Sequence, residues 1–160
     1  TGTIDVVEKA TGASIDEIPR RDEIGIEAGT GIITRESDNG VSQTADLLAK
    51  YVKEADELSF VTRLDWANHA GKVGTNVRPA HLIWYTHPEQ DTAMLNAART
   101  VGLDLPRPML VYENQAGAIM VAFNDARYLE MRYGFDLDKK TIEKVDAGLK
   151  KVAAKATKEK

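Results

Sequence analysis

Arg78-Pro79-Ala80-His81-Leu82-Ile83-Trp84-Tyr85-Thr86-His87-Pro88 is the stretch that decides the fold. Pro79 favours an extended entry and is excluded from a helix interior, so the apolar run after it reads as a strand. Its centre, Leu82-Ile83-Trp84-Tyr85, is apolar at both parities, which predicts a central strand covered on both faces. The run ends in a His87-Pro88 loop. Asp91 or Thr92 is then placed to cap a helix reaching about Val101, with Gly102 at a left-handed C-terminal cap.

Leu105-Pro106 signals the next strand, and residues 109–112 and 119–123 form a hairpin around Asn114-Gln115-Ala116-Gly117. Asn124-Asp125 opens another helix, Gly134 stops it, and Phe135 is placed to fold back on it. Upstream, residues 24–34 alternate and carry Gly25, Gly29 and Gly31, which predicts a first strand with a bend or bulge. After the Asp38-Asn39-Gly40 turn, Ser42 is expected to cap a helix with apolar Ala45, Leu48, Val52 and Ala55. Residues 58–64 read as a second strand with Leu58, Phe60 and Leu64 on one face. Residues 67–73 read as a short crossing broken at Gly71 and Gly74. Ile142, Val145, Leu149, Val152 and Ala156 make a narrow stripe on a last helix. The expected organisation is an extension over 1–22, an α+β domain over 23–137, and an amphipathic helix over 138–160 with a frayed, Lys-rich end.

The bulk numbers exclude several classes. The chain has 160 residues, 42% hydrophobic and 29% charged, enough to bury a core without a metal or disulfide. Its charge of −4 (21 basic against 25 acidic residues) argues against nucleic acid as partner. No apolar run is long enough to span a bilayer. With no cysteine, thiol nucleophiles, iron–sulfur ligation and thiolate zinc sites are excluded. The chain begins at Thr1 rather than Met, which leads to the expectation of an exported, periplasmic or extracellular protein.

Between Phe60 and Phe135 a set of short motifs recurs in a specific order: Arg63-Leu64-Asp65 leading to Ala70, Arg78-Pro79 then Leu82-Ile83, and Thr86-His87-Pro88. Leu103-Asp104-Leu105-Pro106 follows, and then Phe123-Asn124-Asp125 before Tyr128-Leu129. This order resembles the domain-of-unknown-function 302 family over about half the chain. The resemblance implies an α+β domain with a single curved, mainly antiparallel sheet backed by helices, in a TATA-binding-protein-like topology. It also implies a homodimer. It implies no reaction, and DNA binding does not travel with a fold. The family usually has Gly-Asn-Pro where this chain has Thr86-His87-Pro88, and Gly in place of Asp91. Gly permits backbone angles that Thr and Asp resist, so this loop is expected to be reshaped.

Three histidines lead the chemistry, because imidazole titrates near neutral pH. His81 and His87 are six residues apart on a strand, about 20 Å at roughly 3.3 Å per residue, too far to share an ion. His69 and His87, with Asp65 or Glu89, form a conceivable metal or haem site, although no HxH or HExxH spacing supports it. Near His87 the helix dipole and the adjacent Glu89 and Asp91 act with opposite sign on its charge. Asp65, Glu113 and Asp125 stand at strand ends, where general acid–base work competes with helix capping. No serine sits in a G-x-S-x-G elbow. Gly29-Thr30-Gly31 lacks the context of a phosphate loop, and the lysines from Lys150 onward read as a solvated face.

Trp66, Trp84, Tyr85, Tyr112, Tyr128 and Tyr133 concentrate around the central strand and hairpin. Most are expected in the core. An edge of that group, with Arg63, Asp65, Arg78, Trp84, Tyr85, His87, Tyr112 and Asn124, is the candidate ligand pocket, and the same residues suit a dimer surface. The expected function is a non-enzymatic homodimeric module that binds a ligand or a protein. The alternative is a metal- or haem-binding accessory protein of a redox or respiratory system. A small hydrolase or isomerase built on Asp65, Glu113 or Asp125 ranks last.

Overall fold

A computed structural model describes residues 29–157, and the chain from Gly31 onward forms one compact unit. Its elements are β1 (Ile32–Ser37), α1 (Val41–Glu54), β2 (Ser59–Asp65), α2 (Trp66–Gly71), β3 (Ala80–Thr86) and α3 (Pro88–Ala97). A 3-10 turn at Arg99–Leu103 follows, then β4 (Arg107–Glu113), β5 (Ile119–Asn124), α4 (Ala126–Tyr133) and α5 (Lys139–Thr157). The strands form one sheet in the order β1-β5-β4-β3-β2, antiparallel at every junction. The expected single antiparallel sheet backed by helices is therefore present, with β4 at its centre.

Alternation sets the two faces. On β3, His81, Ile83 and Tyr85 are buried while Leu82 and Trp84 are half-buried. On β4, Arg107, Met109 and Val111 are buried between half-buried Pro108, Leu110 and Tyr112. Ile83, Tyr85, Met109 and Val111 join Val121 and Phe123 of β5 and the apolar stripes of α1 and α5 in one core. Leu149 is typical of the α5 stripe, and truncating such a side chain to Ala costs about 2–5 kcal/mol. Every expected stripe residue of the last helix is buried. That helix belongs to the same compact unit as the sheet.

Local chemistry fixes several boundaries. Asp65 accepts from Asn68 N–H and caps α2, as expected, and Asp125 accepts from the Arg127 and Tyr128 amides to cap α4. Gly134, left-handed at φ 62°, ends α4, and Phe135 folds back into the core. The hairpin turns at Asn114, whose side chain accepts from the Ala116 and Ala118 amides.

Other expectations are corrected. Of the 24–34 strand, residues up to 28 lie outside the described residues, and Gly29 and Gly31 form a left-handed turn ahead of β1 instead of a bulge. The bulge lies in β2, between Phe60 and Thr62. One extra residue there reverses the alternation, so Phe60 packs on the core while Leu64 pairs with Leu82 on the opposite face. Ser42 does not cap α1. Gly40 takes that position, and the turn is held by Ser37, Asn39 and Thr44, with Ser37 Oγ and Thr44 Oγ1 2.8 Å apart. Neither Asp91 nor Thr92 caps α3, because His87 does. Gly102 lies inside the 3-10 turn with no positive φ. The frayed end from Lys158 lies outside the described residues, and α5 runs regularly to Thr157.

Candidate functional site

The eight residues of the expected pocket do not converge, and the strand period explains most of the dispersal. Trp84 and Tyr85 are neighbours in sequence, so they lie on opposite faces. Tyr112 shares the Trp84 face. Arg63 lies on the core side of β2 and pairs with Asp46 of α1. Asp65 is occupied as a cap. Arg78 is exposed and donates to Glu113 at 2.7 Å. Asn124 donates to Asp104, which also receives the Tyr133 hydroxyl at 2.6 Å and lies 3.3 Å from Arg132. That group ties the turn before β4 to α4.

The histidines are dispersed as well. His69 lies on α2 against Trp66, ring centroids 6.4 Å apart. His87 stands beyond the far end of β3. His81 is buried beside the edge strand, and its Nδ1 has no hydrogen-bond partner among the described residues. Burial, and then the Arg63 charge, push the His81 pKa down. No group of three His, Asp or Glu side chains among the described residues is arranged to hold a metal ion. His69 and His87 lie toward opposite ends of β3 and are not brought together, so they form no donor set among the described residues.

Tyr85 and His87 do meet, in a partly open cavity of about 140 Å³ whose lining includes Tyr51, Glu57, Gln90, Arg107 and Lys151. Tyr85 and Arg107 are cross-strand partners at the ends of β3 and β4. Arg107 is buried, with Nε 2.6 Å from Asp91 Oδ1 and Nη2 2.9 Å from Gln90 Oε1. The other Asp91 oxygen accepts from the His87 amide at 2.8 Å, while His87 Nδ1 accepts a long 3.4 Å bond from the Gln90 amide. This reciprocal arrangement works like a capping box with imidazole in the hydroxyl's role. Asp91 thus both closes the cap and neutralises the buried guanidinium.

The Tyr85 hydroxyl is fully buried and has no hydrogen-bond partner among the described residues, although the Arg107 guanidinium is beside it. Burial pushes its pKa up, so it stays a protonated donor. At the cavity mouth Lys151 reaches Glu57 at 3.4 Å. Bonds from the Tyr51 and Glu57 side chains raise the lysine's pKa, and a backbone amide and then Lys151 lower that of Glu57. The sequence reading missed Arg107, Gln90, Tyr51 and Lys151. Arg107 alone left a legible trace, as a charge in phase with Met109 and Val111 on a core strand.

On the opposite face, cross-strand pairing lines up Leu64, Leu82, Leu110 and Ala122 in one row across four strands. Trp84 with Pro108, and Ala80 with Tyr112 and Met120, flank that row. None of these side chains belongs to the core cluster that the helices cover. Exposed Trp66, Val73 and Val77 continue the apolar surface from α2 to the start of β3.

Comparison with known proteins fits this architecture. The model of the family described as "Domain of unknown function DUF302" matches residues 33–156, which includes most of α5. Two curated relatives are the "Fluoride-specific ion channel FluC 1" of Brucella suis biovar 1 and the "Fluoride-specific ion channel FluC 2" of Brucella melitensis biotype 1. Each is 31% identical over 108 residues, or 68% of this chain, and the match spans 42% and 40% of their respective lengths. The chain thus spans about two fifths of these relatives. Among solved structures, an uncharacterized conserved DUF302 protein from Bacillus stearothermophilus superposes with a TM-score of 0.62 at 18% identity. It covers 79% of this chain and 95% of that one. With a family match across most of its length and the same fold in a solved member, this chain belongs to the DUF302 family.

Proposed function

We propose that this chain is a non-enzymatic interaction module that works as a homodimer, with the sheet face that no helix of the described residues covers as the surface between the two copies. The observation that carries the reading is the Leu64–Leu82–Leu110–Ala122 row with Trp84, Pro108, Tyr112 and Met120 around it. Antiparallel sheets tolerate one solvated face, but that face then alternates to polar residues. Here its middle strands carry no charge. Five strands about 4.8 Å apart and six or seven residues long make a face of roughly 24 Å by 20 Å. Trp66, Val73 and Val77 enlarge it toward the ~800 Å² per partner of a stable interface.

A second copy suits this face better than a charged partner. A two-fold interface places the same patch against itself, so an apolar centre meets an apolar centre. The Arg78–Glu113 ion pair at the end of β3 and β4 leaves no unpaired charge from these two residues at that edge. The fluoride channels match this chain over less than half their length, and the reading rests on the sheet face alone. Light scattering behind size exclusion tests it. A species of twice the chain mass at micromolar concentration is expected, and a monomer at every concentration up to about 0.5 mM would reject it.

A further inference from the structure

We propose that the cavity between the ends of β3 and β4, the start of α3 and the middle of α5 is a binding site for a small organic anion of carboxylate type. The site lies on the helix-covered side of the sheet and stands or falls independently of the dimer. Four features carry it.

First, Tyr85 lines this cavity, and its hydroxyl is buried beside the Arg107 guanidinium without a well-formed hydrogen bond among the described residues. A buried hydroxyl left without a partner is destabilising, and a bound acceptor removes that penalty. Second, Arg107 lines the same cavity and is held by Asp91 through Nε and by Gln90 through Nη2. A planar guanidinium fixed in this way is preorganised for a carboxylate.

Third, the charge is graded. Asp91 balances Arg107 from behind, so the guanidinium is stable when the cavity holds no anion. Lys151 and Glu57 are paired at the mouth, and each is about half exposed. An arriving anion draws Lys151 inward and leaves Glu57 to water, where its charge is solvated at little cost. Fourth, the size is selective. A volume of about 140 Å³ matches cavities that hold a benzene-sized molecule, so the occupant has on the order of six heavy atoms. Leu58 and Val152 supply an apolar wall for a short hydrocarbon tail. The ligand class is a short-chain or small-ring monocarboxylate.

Thermal shift and titration calorimetry on the whole chain test this with sodium butyrate and sodium benzoate as probes, sodium phosphate as a compact oxyanion, and sodium chloride at equal ionic strength as control. Butyrate or benzoate is expected to raise Tm saturably while chloride does not. A shift from phosphate alone would overturn the carboxylate assignment. Tyr85→Phe deletes only the hydroxyl and should leave the unliganded protein as stable or more stable. It should weaken carboxylate binding about tenfold, the loss of one hydrogen bond to a charged group. Lys151→Met, at an exposed position, should weaken it at least threefold. No saturable response to either carboxylate, or binding unchanged in both variants, would overturn the proposal.

Discussion

Removing Asp91 tests the polar centre of the molecule. Its carboxylate meets Arg107 Nε at 2.6 Å, with the two side chains 8% and 6% exposed, and it also receives the His87 amide at 2.8 Å. In Asp91→Ala the guanidinium keeps Gln90 but loses its counter-charge in a site that water barely reaches. Breaking one side of such a pair costs about 3–5 kcal/mol, mostly as the penalty of an uncompensated buried charge. At about 3 °C per kcal/mol for a chain of this size, Tm should fall by roughly 9–15 °C. The double variant Asp91→Leu/Arg107→Met removes both charges at similar volume, so its cost should stay below about 2 kcal/mol, chiefly from the orphaned His87 amide. Urea unfolding followed by tryptophan fluorescence gives both numbers, provided the m-values agree. A single variant that loses under about 1 kcal/mol, or a double variant as damaged as the single, would refute a buried, mutually dependent pair.

Three further outcomes follow from the same geometry. In Gly31→Ala the new Cβ would sit 2.1 Å from Tyr128 Cγ at φ +75°, and the Asp125 amide pins this backbone by bonding Gly31 O at 2.8 Å. A loss of about 2–4 kcal/mol is expected, partly recovered by adding Tyr128→Ala, and an undamaged single variant would contradict this packing. Burial disfavours the charged form of His81 in the folded state, so the unfolded chain takes up that proton first. Stability should be full above pH 6.5 and fall as the pH drops from 6.5 toward the lowered folded value. The lowered carboxylates Glu57, Asp65 and Asp138 act only below about pH 4.5. Comparing Tm at pH 7.5 and 5.5 should therefore show a smaller drop in His81→Leu than in the parent, and equal drops would exclude His81 as the cause. Asp125→Ala should cost about 1 kcal/mol through the lost cap of α4, read as a shifted urea midpoint, and no shift would argue against capping there.

What the sequence made legible was local. The Asn114–Gly117 turn, the Asp125 cap with Gly134 stop, and the α5 stripe each rest on residues within a turn or two of one another, and each appears where expected. What it hid depended on neighbours from elsewhere in the chain. The bulge near Val61 is a single inserted residue, yet it moves Leu64 to the opposite face. Leu82 and Trp84 read as covered because they are apolar, although the core cluster of the described residues lies on the face of Ile83 and Tyr85. The polar cavity is assembled from Tyr51, Tyr85, Arg107 and Lys151, four segments that no linear motif connects. In sequence His87 reads as a candidate ligand for a metal or haem, whereas its position ahead of Pro88 at the first helical residue makes it a cap.

The claim that most needs a direct measurement is that the sheet face opposite the described helices joins two copies. Leu110, half-buried in the middle of that face on the central strand, is the position at which one charge does most harm to an apolar interface and little to the core behind it. Sedimentation equilibrium of Leu110→Lys, beside Lys144→Glu on the exposed side of α5, makes the comparison. A folded monomer from the first and a dimer from the second is the predicted result. A Leu110→Lys protein that remains as dimeric as the parent would place any interface elsewhere and contradict the account.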